Sequence, residues 1–193
     1  MKARISEKQL KRFHRLLSAR MIEFDCGKLC APDNEGIPVC CENDYCVPVL
    51  YHEEFKWRRT DDKFWKRMPP KTKEIKKFID ESESYYVFSQ CPGPASCVRS
   101  KRSFNCMTFP FEPHIDKKGE ITGLSFGNNT DVECPLPNKP NKAFNRNYIS
   151  NALTFWQELF ELYPEEHETY MKESRKRERI AKKTGKHVRL LTG

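Results

Sequence analysis

Apolar residues near the start of the chain fall at Leu10, Phe13, Leu16, Leu17 and Met21, three or four positions apart, after Ser6. That period puts them on one face of a helix, with the Ser6 hydroxyl as its N-cap. The period then stops. Between Cys26 and Cys46 the chain carries Pro32, Asn34, Gly36, Pro38 and Asn43 among five cysteines, a composition of turns rather than of a regular element. Residues 47–51 read as a short strand, and 52–67 as a charged and aromatic stretch that ends at Pro69-Pro70. Ile75, Phe78 and Ile79 mark a short helix over 71–82, and a strand over 85–89 leads into Cys91. Residues 109–115, interrupted by prolines, read as extended; Lys118-Gly119 makes a hairpin turn into 120–126. The strongest helical pattern is Ile149, Ala152, Phe155, Trp156, Leu159, Phe160 and Tyr163, spanning 148–163 until Pro164 interrupts it. A last helix covers 165–183 and stops at Gly185. There is no internal repeat.

These elements predict an α+β chain with few, short strands and a loop-rich centre flanked by N- and C-terminal helices. The expected segments are an N-terminal helix (1–25), a cysteine-bearing domain (26–134) and C-terminal helices with a basic tail (148–193). With 193 residues, 37% of them hydrophobic and 32% charged, the core is modest and needs reinforcement from elsewhere. Residues 1–23 are charged throughout and no apolar run approaches membrane-spanning length, so the expectation is a cytoplasmic protein without a membrane contact. The sequon at Asn128-Asn129-Thr130 then carries no meaning. In a reducing compartment nine cysteines are better explained by metal ligation than by disulfides.

The net charge of +8 is uneven: residues 172–189 hold nine Lys or Arg against Glu173 and Glu178. Such a tail suits an acidic partner such as RNA or a ribonucleoprotein, and equally suits a solvated helix end. Trp57, Phe64 and Trp65, interleaved with Lys56, Arg58, Arg59, Lys63, Lys66 and Arg67, could stack bases; the commoner arrangement buries such aromatics in the core.

Cys26, Cys30, Cys40, Cys41 and Cys46 form one group, Cys91, Cys97 and Cys106 a second, and Cys134 stands apart. A centre with good geometry needs thiolates from separate segments, which two groups on either side of a helix supply. The expected core is therefore a cysteine-ligated metal centre, an iron–sulfur cluster before zinc, since paired C-x2-C knuckles are missing. His52 and His114 lie nearest to the cysteines but read as ordinary polar residues.

Cys97, Arg102 and Cys106 with Phe109-Pro110-Phe111 spell C-x4-R-x3-C-x2-FPF. This resembles the YkgJ-type cysteine-cluster family of zinc- or iron-chelating domains, and Cys40-Cys41 followed by Val47-Pro48-Val49-Leu50 and Glu53 or Glu54 resembles its first half. The resemblance runs over about 26–134. The chain departs from the pattern by an opened loop between Cys30 and Cys40, by Ser103 after the matched Arg and by Met107 after the matched Cys. It implies a metal site drawn from Cys26, Cys30, Cys40, Cys41, Cys46, Cys91, Cys97 and Cys106, most simply a 4Fe-4S cluster. Placed between two such cysteines, Arg102 could donate to cluster sulfur, and equally could be a surface arginine in a basic patch with Arg99 and Lys101. The family includes flagellin lysine N-methylases (FliB-like), which adds a second implied function: an S-adenosylmethionine-dependent methyltransferase acting on a protein substrate. No glycine-rich cofactor loop or paired catalytic carboxylates accompany it.

Overall fold

The computed structural model describes residues 4–42, 46–61, 64–128 and 134–193, with backbone only at 60 and 61. Asn43, Lys63 and the Asn129-Thr130 part of the sequon lie outside these residues.

The chain is α+β, with helices around two small antiparallel sheets. Helix α1 (Glu7–Leu16) opens with a capping box: Ser6 Oγ accepts from the Gln9 N–H at 3.3 Å, and Gln9 Oε1 accepts from the Ser6 N–H at 2.9 Å. The cysteine-rich loop folds into 3-10 turns at Cys26–Leu29, Ala31–Asp33 and Val39–Cys41. Strand β1 (Val49–Tyr51) runs directly into helix α2 (His52–Asp61). Strands β2 (Lys66–Arg67) and β3 (Tyr86–Gln90) bracket helix α3 (Lys73–Glu81), and the sheet order is β1-β3-β2. Helix α4 (Phe104–Thr108), absent from the periodicity, carries Cys106. The hairpin of β4 (Phe111–Ile115) and β5 (Ile121–Phe126) turns at Gly119, whose φ of 88° favours glycine. Helices α5 (Arg146–Leu162) and α6 (Pro164–Lys183) complete the chain, and Leu191 returns to bridge Leu124 of β5.

One core joins all the segments. Phe13 of α1 meets Phe155 of α5 edge-on at 5.2 Å and Phe104 of α4 at 5.9 Å, while Phe111, Leu124, Leu159 and Leu191 are buried in the same cluster. Each such side chain contributes roughly 1.5–3 kcal/mol on burial. A smaller cluster of Leu50, Phe55, Trp65 and Val87 lies under the cysteines, with Cys91 and Cys106 packed against it. Trp65 donates to the Lys101 carbonyl at 2.9 Å, so it is a core residue and not a base-stacking platform.

The basic segment is only partly free. In α6, Arg177 is buried, paired with Glu112 and donating to Pro113 O at 2.8 Å and Ser174 Oγ at 3.0 Å. Arg189 donates to the Pro137 carbonyl at 2.7 Å and packs over Phe126 and Phe144. These two cations hold the fold. Lys172, Arg175, Lys176, Arg179, Lys182, Lys183 and Lys186 are exposed, and their three- and four-residue spacing makes a stripe on the outer face. No helix among the described residues is long and apolar enough to cross a membrane.

Candidate functional site

Segment 97–106 is held from several sides. Arg58 of α2 donates to the Ser100 carbonyl at 2.6 Å and the Arg102 carbonyl at 2.5 Å, and Trp65 holds Lys101 between them. Arg99 reaches the end of α1, donating to the Ser18 carbonyl at 2.9 Å and to the Ala19 carbonyl. Ser103 caps α4 by accepting from the Cys106 N–H at 3.2 Å, and Glu54 Oε1 accepts from the Phe104 N–H at 2.8 Å. Tyr148 donates to the Met107 carbonyl at 2.9 Å. Cys97, Arg102 and Cys106 therefore sit on backbone fixed by buried groups.

The result is a cavity of about 470 Å³ lined by Cys26, Cys40, Cys41, Cys46, Cys91, Cys97 and Cys106. Both cysteine groups reach it. Arg102 lines it as well, hydrogen-bonded to Cys97 and 3.4 Å from Asp25. Apolar side chains line it too, and this apolar wall includes Phe64, Phe78, Phe88 and Phe109. Phe78 belongs to α3, whose apolar stripe buries no residue in the core; Phe78 is 61% exposed and meets Phe88 at 5.4 Å.

Cys30 falls elsewhere. With Cys134 it lines an adjoining cavity of about 110 Å³, which shares Cys26, Cys40, Cys106 and Arg102 with the larger one. Cys134 is thus not isolated: its thiol feels the charges of Cys26 and Cys30. Neither His52 nor His114 lines either cavity; His52 faces Arg67 at 3.5 Å and His114 faces Glu178 at 3.5 Å.

All nine cysteines are free thiols. Burial pushes Cys106 up to about 12 despite the hydrogen bond from Ser103, and raises Cys26, Cys46 and Cys91; Cys134 rises to about 11, also by burial. Cys40 and Cys41 share a hydrogen bond that keeps the Cys40 proton in place and lowers Cys41, an effect that Arg102 reinforces. Burial disfavours charge on Arg102, but its hydrogen bond to Cys97 and the charges of Cys97, Asp25 and Cys41 outweigh this and raise its pKa. Among the described residues, no three His, Cys, Asp or Glu side chains are gathered closely enough to hold a single metal ion.

Fold and lining together define an α+β protein with a thiol-rich, arginine-edged cavity. No family model, curated protein or solved structure matches the chain.

Proposed function

We propose that this protein binds an iron–sulfur cluster of the 4Fe-4S type through four of the seven cysteines on the larger cavity. The observation that carries the reading is the convergence of thiols from segments 26–46 and 91–106 on one space. A single zinc ion needs its thiolates packed around one point, with Zn–S distances near 2.3 Å. A cluster holds each thiolate on its own iron and so takes a wider ring, which suits thiols that line one cavity with no three of them, among the described residues, gathered at a single point. Arg102, hydrogen-bonded to Cys97, would stabilise the negative charge of cluster and thiolates. The sequence resemblance through Cys97, Arg102 and Cys106 points the same way. Because burial raises Cys26, Cys46, Cys91 and Cys106, loading the centre through them would release protons and tighten the fold together. The exposed stripe on α6 would give the cluster protein its acidic partner, RNA or a ribonucleoprotein.

Absorption of anaerobically purified protein, with iron and zinc measured on the same sample, tests this. Broad visible absorption that bleaches on reduction, with iron in excess of zinc, is the expected result. A colourless protein holding zinc alone overturns it.

The apolar wall supports the second reading. A cavity of this size has room beside a cluster for an organic ligand, and one flank is aromatic. S-adenosylmethionine bound there would make the chain a protein lysine methyltransferase. Its melting temperature would then rise with ligand concentration, and an unchanged value with the metal centre intact would remove the methyltransferase reading.

A further inference from the structure

The turn that follows α1 and the loop that precedes α4 meet at the smaller cavity. Arg99 of that loop donates to the Ser18 carbonyl at 2.9 Å and to the Ala19 carbonyl, and Arg20 is the next residue along. Arg20 itself donates to the Glu23 carbonyl at 3.3 Å. Both arginines, together with Arg102, line the cavity of about 110 Å³.

Three guanidinium groups on so small a space call for negative charge. Among the described residues the lining supplies one carboxylate, Asp25, and it is already engaged: its Oδ2 faces Arg102 at 3.4 Å and its Oδ1 accepts from the Gly27 N–H at 3.1 Å. The bonds of Arg20 and Arg99 go to main-chain carbonyls, which use up N–H donors and leave the positive charge in place. Neither forms an ion pair with a carboxylate among the described residues. Arg99 and Arg102 are half-buried, where water screens their repulsion less, and an anion set among them would remove that cost.

The donors and the volume together select the anion. Guanidinium groups meet phosphate oxygens through paired N–H donors, and a phosphate group carries close to two negative charges near neutral pH. The cavity has the room of about four waters, at roughly 30 Å³ each, which admits one tetrahedral oxoanion and excludes a nucleoside. On one side its lining reaches solvent, through Arg20, Phe24 and Asp25, all exposed. Phe24 is 43% exposed there and offers apolar ring surface to whatever the anion is attached to.

We propose that Arg20, Arg99 and Arg102 form a binding site for a phosphate group, either inorganic phosphate or the end of a small phosphomonoester whose organic part rests against Phe24. A dianion held by all three ties the end of α1 to the segment that carries Cys97. Arg20 and Arg99 do not line the larger cavity, so the site is defined without a bound cluster and stands or falls independently of the function proposed above.

The test is isothermal titration calorimetry of the anaerobically purified full chain with inorganic phosphate and with adenosine monophosphate, at an ionic strength held constant with chloride. One-site, saturable binding is expected, with a melting temperature that rises with the ligand and not with equal chloride. Tighter binding of inorganic phosphate identifies the free anion as the ligand, and tighter binding of the monophosphate identifies the ester. Arg20→Gln gives up only the bond to the Glu23 carbonyl among the described residues, so its ligand-free melting temperature should match the parent's. Its affinity should fall about tenfold, the scale of one hydrogen bond to a charged group. Asp25→Asn keeps an acceptor for the Gly27 N–H and removes the competing carboxylate, so it should bind more tightly than the parent. Both variants leave the stripe on α6 intact, which separates this site from general attraction of anions. The proposal is overturned if neither ligand gives saturable heat beyond that of chloride, if folded Arg20→Gln binds as tightly as the parent, or if Asp25→Asn binds more weakly. The parent titration needs no variant, so misfolding of a mutant cannot mask its result.

Discussion

Glu54→Gln isolates the energetics of one fully buried carboxyl group. Glu54 Oε1 takes the Phe104 N–H at the start of α4, while Oε2 is buried with no hydrogen-bond partner among the described residues. Burial pushes its pKa from 4.5 up to about 7, against the hydrogen bond from Phe104 and the charge of Arg58. Across that window the folded chain keeps a proton that the unfolded chain has released. Stability contributed by the neutral carboxyl is therefore present below 4.5, falls as pH rises, and is lost above about 7. At about 1.4 kcal/mol per pKa unit the loss is roughly 3 kcal/mol. His14 runs the other way: burial and the charge of Arg58 lower it to about 4, so it withdraws stability as pH falls below 6.5. Comparing parent and variant at matched pH cancels His14. Urea denaturation over about pH 5 to 8 should show the Gln variant gaining roughly 3 kcal/mol on the parent from the acid to the alkaline end. A difference that does not change with pH would refute the reasoning.

Arg177→Met should cost about 1–3 kcal/mol in denaturant unfolding, because it leaves half-buried Glu112 and the Pro113 carbonyl without the buried guanidinium; adding Glu112→Gln should recover part of the loss. Removing the charges of Lys172, Arg175, Arg179 and Lys183 together should leave the melting temperature near that of the parent. If the stripe binds RNA, the slope of log affinity against log salt should shrink by about 0.7 for each phosphate that these side chains no longer neutralise. An unchanged slope makes the stripe a solvated helix face.

Elements with a cap, a long period or a turn dipeptide were legible in the chain. Ser6 and the apolar period after it announce α1, the seven spaced apolar residues announce α5, and Lys118-Gly119 announces the hairpin. Helix α4 is five residues long, too short for a period to form, and its stability comes from Ser103, Glu54 and Tyr148 rather than from its own pattern. Ile75, Phe78 and Ile79 do mark a helix, but none of the three is buried in the core and Phe78 lines the cavity, which composition does not distinguish. Arg177 looked like its neighbours because one inward position in a basic run changes nothing in the charge count; only its spacing from Ser174 and Glu166 sets it on the buried face. Cysteine spacing brought the two groups together, whereas the approach of Cys134 to Cys26 and Cys30 depends on long-range folding. The hydrogen bonds of Tyr51 and Tyr86 to Glu166 left no local signal, since the three residues come from β1, β3 and α6.

The most direct test of a shared centre is metal and sulfide content, with melting temperature, of anaerobically purified Cys41→Ser and Cys97→Ser proteins, one substitution from each cysteine group. Both should lose iron and sulfide together and melt below the parent, because metal binding free energy is folding free energy here, with Cys134→Ser affected less. If either variant keeps the parent's full metal content and melting temperature, its cysteine is not a ligand. If both do, no centre shared through Cys41 and Cys97 exists.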